Sequence, residues 1–315
     1  MIFTSGATES LKIVAENFEF ENEIFAYLDE CHTSVTGLRE IIKESFKVWS
    51  QENVLENLTN HSKNGGLFAF PAMSNYSGQK FPLDSWIQKA KETNFKILLD
   101  AASFVSTNFL DLSIVDCNFA CVSFYKIFGF PTGIGALIIQ NSSFKYLKKS
   151  YFGGGTVEMN LIRKSRHVSK PFEAKFEDGT LNFHAILALK YGFDLIQSKF
   201  GGMEIISKHT FSLAKYLHEQ LTNLKYQNGC KVIEMYSKSG FQDKKYQGGI
   251  VNFNILQRNG SIFGFTEFKK MALHNNVIIR VGCFCNIGSC QKYLGKKINA
   301  KMWLKILRCK KLSDF

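Results

Sequence analysis

The chain has 315 residues, 45% of them hydrophobic and 14% aromatic, a composition that builds a sizeable core and excludes an intrinsically disordered protein. No apolar run approaches the ~18 residues of a membrane span, and the opening MIFTSGATES has neither a charged n-region nor an apolar h-region, so a cytoplasmic chain without membrane attachment is expected. The net charge of +12 raises nucleic acid as a partner, but seven Lys/Arg lie between residues 296 and 311, and the basic stretch RKSRHVSKPFEAK (163–175) lacks interleaved aromatics, so no nucleic acid is expected either.

In chain order, IFTSGA leads into the amphipathic TESLKIVAENF, IFAYLDEC reads as a strand, and TSVTGLREIIKESF has helical spacing. LFAFPAM is a strand ending in the turn-rich SNYSGQKFP; LDSWIQKAKET is a helix; KILLDAA, FACVSFY and GALIIQ are strands. Short, continuously apolar strands separated by helices predict an α/β fold whose mainly parallel sheet is covered on both faces. From about residue 181 two long helices follow, and then GGIVNFNIL, a helix at TEFKKMALHNN and the apolar VIIRVGCFC form a second, smaller α/β unit. The eight cysteines have irregular spacing in a chain with no export signal, so reduced thiols are expected.

Several residues have types and positions that could carry chemistry. Lys126 follows a buried strand and precedes a Gly/Pro-rich turn; it is either a lysine snorkelling at a strand end or a Schiff-base amine in a desolvated pocket. Asp100 ends KILLD, where a parallel strand delivers residues to a ligand crevice, and could hold the ring nitrogen of pyridoxal phosphate or merely cap a helix start. SGATES (5–10) opens a helix, where an anion such as a phosphate is favoured, and Ser123 could add a hydroxyl. His32 could stack on a cofactor ring, and Asn75 could bond the ring oxygen; each has a plain structural alternative. In RVGCFCNIGSC (280–290) three cysteines fall close together. They could be a metal fragment, a buried thiol cluster or a nucleophile, but no second ligand pair is visible, so no metal is expected.

With Thr8, His32, Asn75, Asp100, Ser123 and Lys126 in this order, the chain resembles the class V aminotransferase group of pyridoxal-phosphate enzymes. Within that group it is similar to the cysteine desulfurases, and most of all to the desulfurase domain that begins the molybdenum cofactor sulfurases. The strings FTSGATESLKIVAE, HTSVTGLRE, LLDAASFVST, SFYKIFGFPTGIGALI, YFGGGTVE, FEDGTLNF and RVGCFCNIGSCQ carry the resemblance over residues 1–294.

The resemblance implies a type I fold of the pyridoxal-phosphate transferases, with a large domain at 1–195, an incomplete smaller unit at 196–295 and an atypical basic tail at 296–315. Lys126 would bind pyridoxal 5'-phosphate covalently, Asp100 would hold its ring nitrogen, and His32 would stack on the ring. Ala7, Thr8 and Ser123 would contact the phosphate, and Thr180 would reach the phosphate of a neighbouring copy in a homodimer. Arg280 would bind the carboxylate of L-cysteine and Cys285 would accept its sulfur as a persulfide, with Cys283 as the second candidate. The persulfide sulfur would pass to the molybdenum cofactor. Relatives carry a long segment before SGAT and further structure after CQKYLG, including a second arginine and the domain that receives the molybdenum cofactor. A general cysteine desulfurase with another acceptor and a truncated, non-catalytic chain are therefore the alternatives. Ser103, Tyr125, Cys31 and Ile287 depart from the residues common among relatives at those positions.

Overall fold

The computed structural model describes residues 1–21, 23–42, 45–237 and 239–295; the basic tail at 296–315 lies outside them. The first half alternates strands and helices: β1 (Ile2–Thr4), α1 (Ala7–Asn17), β2 (Ile24–Leu28), α2 (Thr33–Thr36), β3 (Phe46–Trp49), α3 (Val54–Asn60), β4 (Gly66–Pro71), α4 (Leu83–Glu92), β5 (Phe95–Asp100), β6 (Phe119–Ser123), α5 (Tyr125–Phe128) and β7 (Gly135–Ile139). These strands make one seven-stranded sheet in the order β1-β7-β6-β5-β4-β2-β3. Strands β2 to β6 pair in parallel, while β7 runs antiparallel to both β6 and β1.

Every residue of β2 and β4 is buried, as continuous apolar runs in a sheet covered on both sides should be. Successive side chains of a strand point to opposite faces. Accordingly Cys121 and its partner Leu137 join the main core with Leu11 and Val14 of α1. Val122 and its partner Ala136 join a second cluster with Ala185 and Leu189 on the opposite face. Those last two residues belong to α6 (Phe183–Phe200), which follows the antiparallel hairpin of β8 (Val157–Asn160) and β9 (His167–Ser169). Helix α6 runs unbroken through residue 195 and ends where Gly201 takes up the left-handed conformation (φ 71°). It is followed by α7 (Met203–Thr222), β10 (Ile233–Met235), β11 (Phe253–Ile255), α8 (Phe265–His274) and α9 (Ile287–Leu294).

Two expected elements differ. The helical spacing at 33–46 yields only the single turn α2 and a 3-10 turn at Gly37–Glu40, after which the chain enters the edge strand β3. Thr33, Val35 and Thr36 are β-branched and Gly37 follows them, a poor sequence for extending an α-helix. VIIRVGCFC forms no strand, because β10 and β11 pair only with each other and no described strand lies alongside 277–285. Without a hydrogen-bonded neighbour the apolar run has no ladder to join, and Ile278 is 90% exposed.

Candidate active site

Open α/β sheets bind ligands beyond the carboxyl ends of their parallel strands. The ends of β2, β4, β5 and β6, four neighbours in the sheet, lead directly into His32, Asn75, Asp100, and Ser123 with Lys126. Register puts Asp100 beside Pro71 of β4 and Cys121 of β6. Its carboxylate is buried and its Oδ1 accepts from the Ala102 amide at 3.0 Å.

His32 caps α2: the Ser34 amide donates to Nδ1 at 3.1 Å, so Nδ1 is the unprotonated ring nitrogen and the neutral ring carries its proton on Nε2. Burial lowers the pKa of His32, and the charges of Lys126 and Arg280 lower it further against the opposing charge of Asp100. The carboxylate, the amine and the guanidinium therefore all lie within electrostatic reach of one imidazole. Ser34 Oγ also lies 2.8 Å from Thr8 Oγ1, which ties the start of α1 to the histidine.

Helix α1 begins at Gly6 with no side-chain cap, and the Ala7 amide donates to Ser123 Oγ at 2.9 Å. This contact requires the β1–α1 turn to lie against β7. At Gly135 a Cβ would come within 2.6 Å of the Gly6 Cα and 2.4 Å of the Val122 carbonyl, so only glycine permits the approach. An uncapped helix start beside a serine hydroxyl is an anion-binding arrangement. Together with the buried carboxylate, the half-buried Lys126 and the imidazole, it makes a donor set that fits pyridoxal phosphate: anion donors for the phosphate, an acid for the ring nitrogen and an amine for the aldehyde.

The cysteine-rich turn folds back over these strand ends. The Thr33 amide donates to the Cys285 carbonyl at 2.7 Å, and Asn75 Nδ2 donates to the Phe284 carbonyl at 2.7 Å. Asn75 thus serves the turn, and its Oδ1 accepts from Asn286 Nδ2 at 2.9 Å. Arg280 stands over the Phe284 ring, its guanidinium carbon 5.5 Å from the centroid. The expectation of wholly reduced thiols is corrected: Cys283 and Cys290 are joined as a disulfide, with Cα atoms 5.3 Å apart. The first turn of α9 returns over the 283–286 turn, where the Cys290 amide reaches the Asn286 carbonyl, and so brings the two sulfurs together. Cys285 is free and exposed. Among the described residues no group of three or more His, Cys, Asp or Glu is placed to hold a metal.

Thr180 is not brought to this cluster. It is exposed and lines a cleft of about 730 Å³, together with Ser5 of the β1–α1 turn and Glu9 of α1. Ser34 and Thr33, missed by sequence reasoning, lie in the HTS string next to His32. Asn286, also missed, directly follows Cys285.

Comparison with known proteins points the same way. A family model for class-V aminotransferases matches residues 1–298. Molybdenum cofactor sulfurase 3 of Aedes aegypti is 44% identical over 314 residues, covering 93% of this chain and 41% of its own length. The human molybdenum cofactor sulfurase is 42% identical over 322 residues, covering 94% of this chain and 36% of its own. The chain thus spans about two fifths of the length of these relatives. Among solved structures, a cysteine desulfurase from Thermococcus onnurineus NA1 superposes with a TM-score of 0.76 at 21% identity, covering 93% of this chain and 71% of that one. The cystine C–S lyase C-DES, solved with cysteine persulfide, superposes with a TM-score of 0.72 at 16% identity, covering 90% and 74%. At these identities the structures establish a shared fold.

Proposed function

The chain belongs to the class-V aminotransferase family, and from that membership we propose that it is a pyridoxal-phosphate-dependent sulfurtransferase that takes sulfur from L-cysteine for the molybdenum cofactor. The observation that carries the reading is the convergence of His32, Asn75, Asp100, Ser123 and Lys126 on four adjacent strand ends, with the Cys285 turn hydrogen-bonded onto them. Similarity to molybdenum cofactor sulfurases at 42% and 44% identity supports that cofactor as the acceptor.

Pyridoxal phosphate, when bound, supplies an electron sink for bond cleavage next to the substrate amine. In this proposal Lys126 would hold the cofactor through its amine, the group placed to move a proton at the substrate. Asp100 would hold the ring nitrogen, and His32, whose pKa burial lowers, would stack on the ring. Ala7, Thr8 and Ser123 would hold the phosphate at the start of α1. Arg280 binds the substrate carboxylate as an ion pair. The Cys285 thiolate attacks the sulfur of L-cysteine: a sulfur–sulfur bond forms, the carbon–sulfur bond breaks, the carbon gains a proton, and alanine leaves with Cys285 as the persulfide. The disulfide supports Cys285 over Cys283, since a sulfur already paired is not free to attack.

Residues 1–195 would hold the cofactor and residues 196–295 the nucleophile turn, with α6 spanning the junction. The proposed unit is a homodimer in which Thr180 reaches the partner copy's phosphate. In support, Phe183, Leu187, Tyr191 and Leu195 make an exposed apolar stripe along α6 next to Thr180.

Reconstitution with pyridoxal phosphate tests the reading. The expected product has the visible absorbance of a lysine-bound cofactor, which Lys126→Ala loses. Cys285→Ser keeps the colour but yields no protein persulfide from L-cysteine. A colourless wild type, or loss of turnover in Cys283→Ser with Cys285 intact, overturns it. Sulfur delivered to an iron–sulfur scaffold and not to desulfo molybdenum cofactor would reassign the acceptor.

A further inference from the structure

A group of buried polar residues beside the nucleophile turn has no part in the roles proposed above. Glu30, just past the end of β2, is fully buried. Its carboxylate accepts from Lys292 Nζ at 2.7 Å and from Ser289 Oγ at 3.1 Å, and both partners lie on α9. Burial alone would lower the pKa of Lys292, but the hydrogen bond and charge of Glu30, with Asp29 and Glu52 nearby, raise it above the usual lysine range.

Asn286 is equally buried and uses its whole amide. Nδ2 donates to the Glu30 carbonyl and to Asn75 Oδ1, both at 2.9 Å, and Oδ1 accepts from the Ser289 amide at 3.0 Å as the cap of α9. One side chain thereby joins the ends of β2 and β4 to the first turn of α9. The turn it closes, with the Asn286 amide on the Cys283 carbonyl at 2.8 Å, has two non-glycine residues in the left-handed region, Phe284 at φ 52° and Cys285 at φ 56°. Such residues persist where surrounding contacts over-determine them. Here both carbonyls are caught, by Asn75 and by Thr33, on the same two strand ends that Asn286 bridges.

We infer that Asn286, Glu30 and Lys292 are positioning residues that lock the Cys285 turn against the ends of β2 and β4, so that the sulfur-accepting thiol is presented at a fixed place over the crevice. The inference deepens the desulfuration proposal and rests on it for the chemistry. The side chain of Cys285 stays exposed while its backbone is held on both sides. Displacing a reacting group by about 1 Å can slow a step on the order of 100-fold.

The test uses the full chain loaded with pyridoxal phosphate. Lys292→Met removes the ion pair, and Lys292→Arg restores it. Asn286→Ser can still cap α9 but cannot span the two strand ends. It adds no charge, so it serves if Lys292→Met does not fold. Amide hydrogen exchange, read by mass spectrometry, should quicken in peptide 281–290 of Lys292→Met and Asn286→Ser while peptide 95–100 keeps wild-type protection. Persulfide formation should fall about tenfold or more in kcat with little change in KM for L-cysteine. The bound-cofactor absorbance should persist, and Lys292→Arg should recover most of the rate. Wild-type exchange in 281–290 in both variants, or faster exchange spread equally into 95–100, overturns the inference. A wild type that forms no persulfide fails the desulfuration proposal instead. The exchange measurement then still decides whether these residues hold the turn.

Discussion

Asp29 is half-buried beside Glu30, and its Oδ1 is buried without a hydrogen-bond partner among the described residues. Burial pushes its carboxyl up to about 6; the charges of Glu30 and Glu52 add to the rise, and Lys292 opposes it. A carboxyl whose pKa is raised on folding binds its proton more tightly in the folded chain. Its contribution is full below the unfolded value of 3.8 and is lost as the pH rises through about 6. Asp29→Asn should therefore stabilise the chain at pH 7.5 relative to wild type and lose that advantage as the pH falls below the unfolded value of 3.8, read as the difference in melting temperature between the two proteins at each pH. The residues proposed for chemistry are legible at this scale, because Asp100 and Ser123 end, and Lys126 closely follows, apolar runs that read as buried strands. Glu30 and Lys292 are not. They lie 262 positions apart, and nothing local distinguishes a buried carboxylate in LDEC from a solvated one.

Helix α9 seats on the strand ends through one small residue. A Cβ at Gly288 would lie 1.7 Å from the Asp29 carbonyl oxygen, so the helix start and the backbone after β2 fit only around glycine. Gly288→Ala should destabilise the chain by about 1–3 kcal/mol, measured from the shift in a urea unfolding midpoint at constant slope. The sheet elements are readable because continuous apolar runs between helical patterns have few other solutions. The elements that differ are those that need a partner. Strand β3 begins where the helical-looking run ends, and it pairs along the edge that β2 offers. The apolar VIIRVG has the pattern of a strand, but no neighbouring strand lies against it.

At the scale of the molecule, an exposed apolar stripe runs along α6, where Leu187 is 68% exposed and Tyr191 is 74% exposed. Residues four apart share a helix face, so the stripe is continuous. If it is the proposed dimer contact, Leu187→Glu should shift the chain from dimer to monomer in light scattering while circular dichroism stays unchanged. No helix among the described residues is long and apolar enough to cross a membrane. The sequence by itself determined the α/β class, the chain order of β2, β4, β5, β6 and β7 and the chemical types waiting at their ends, because those depend on periodicity and on residues adjacent in the chain. Only the tertiary structure decided which strands are neighbours, that Cys283 pairs with Cys290 and leaves Cys285 free, and that Asn286 and Glu30 meet. These are contacts between distant residues, selected by packing and by the need to satisfy buried polar groups, and no local pattern encodes them.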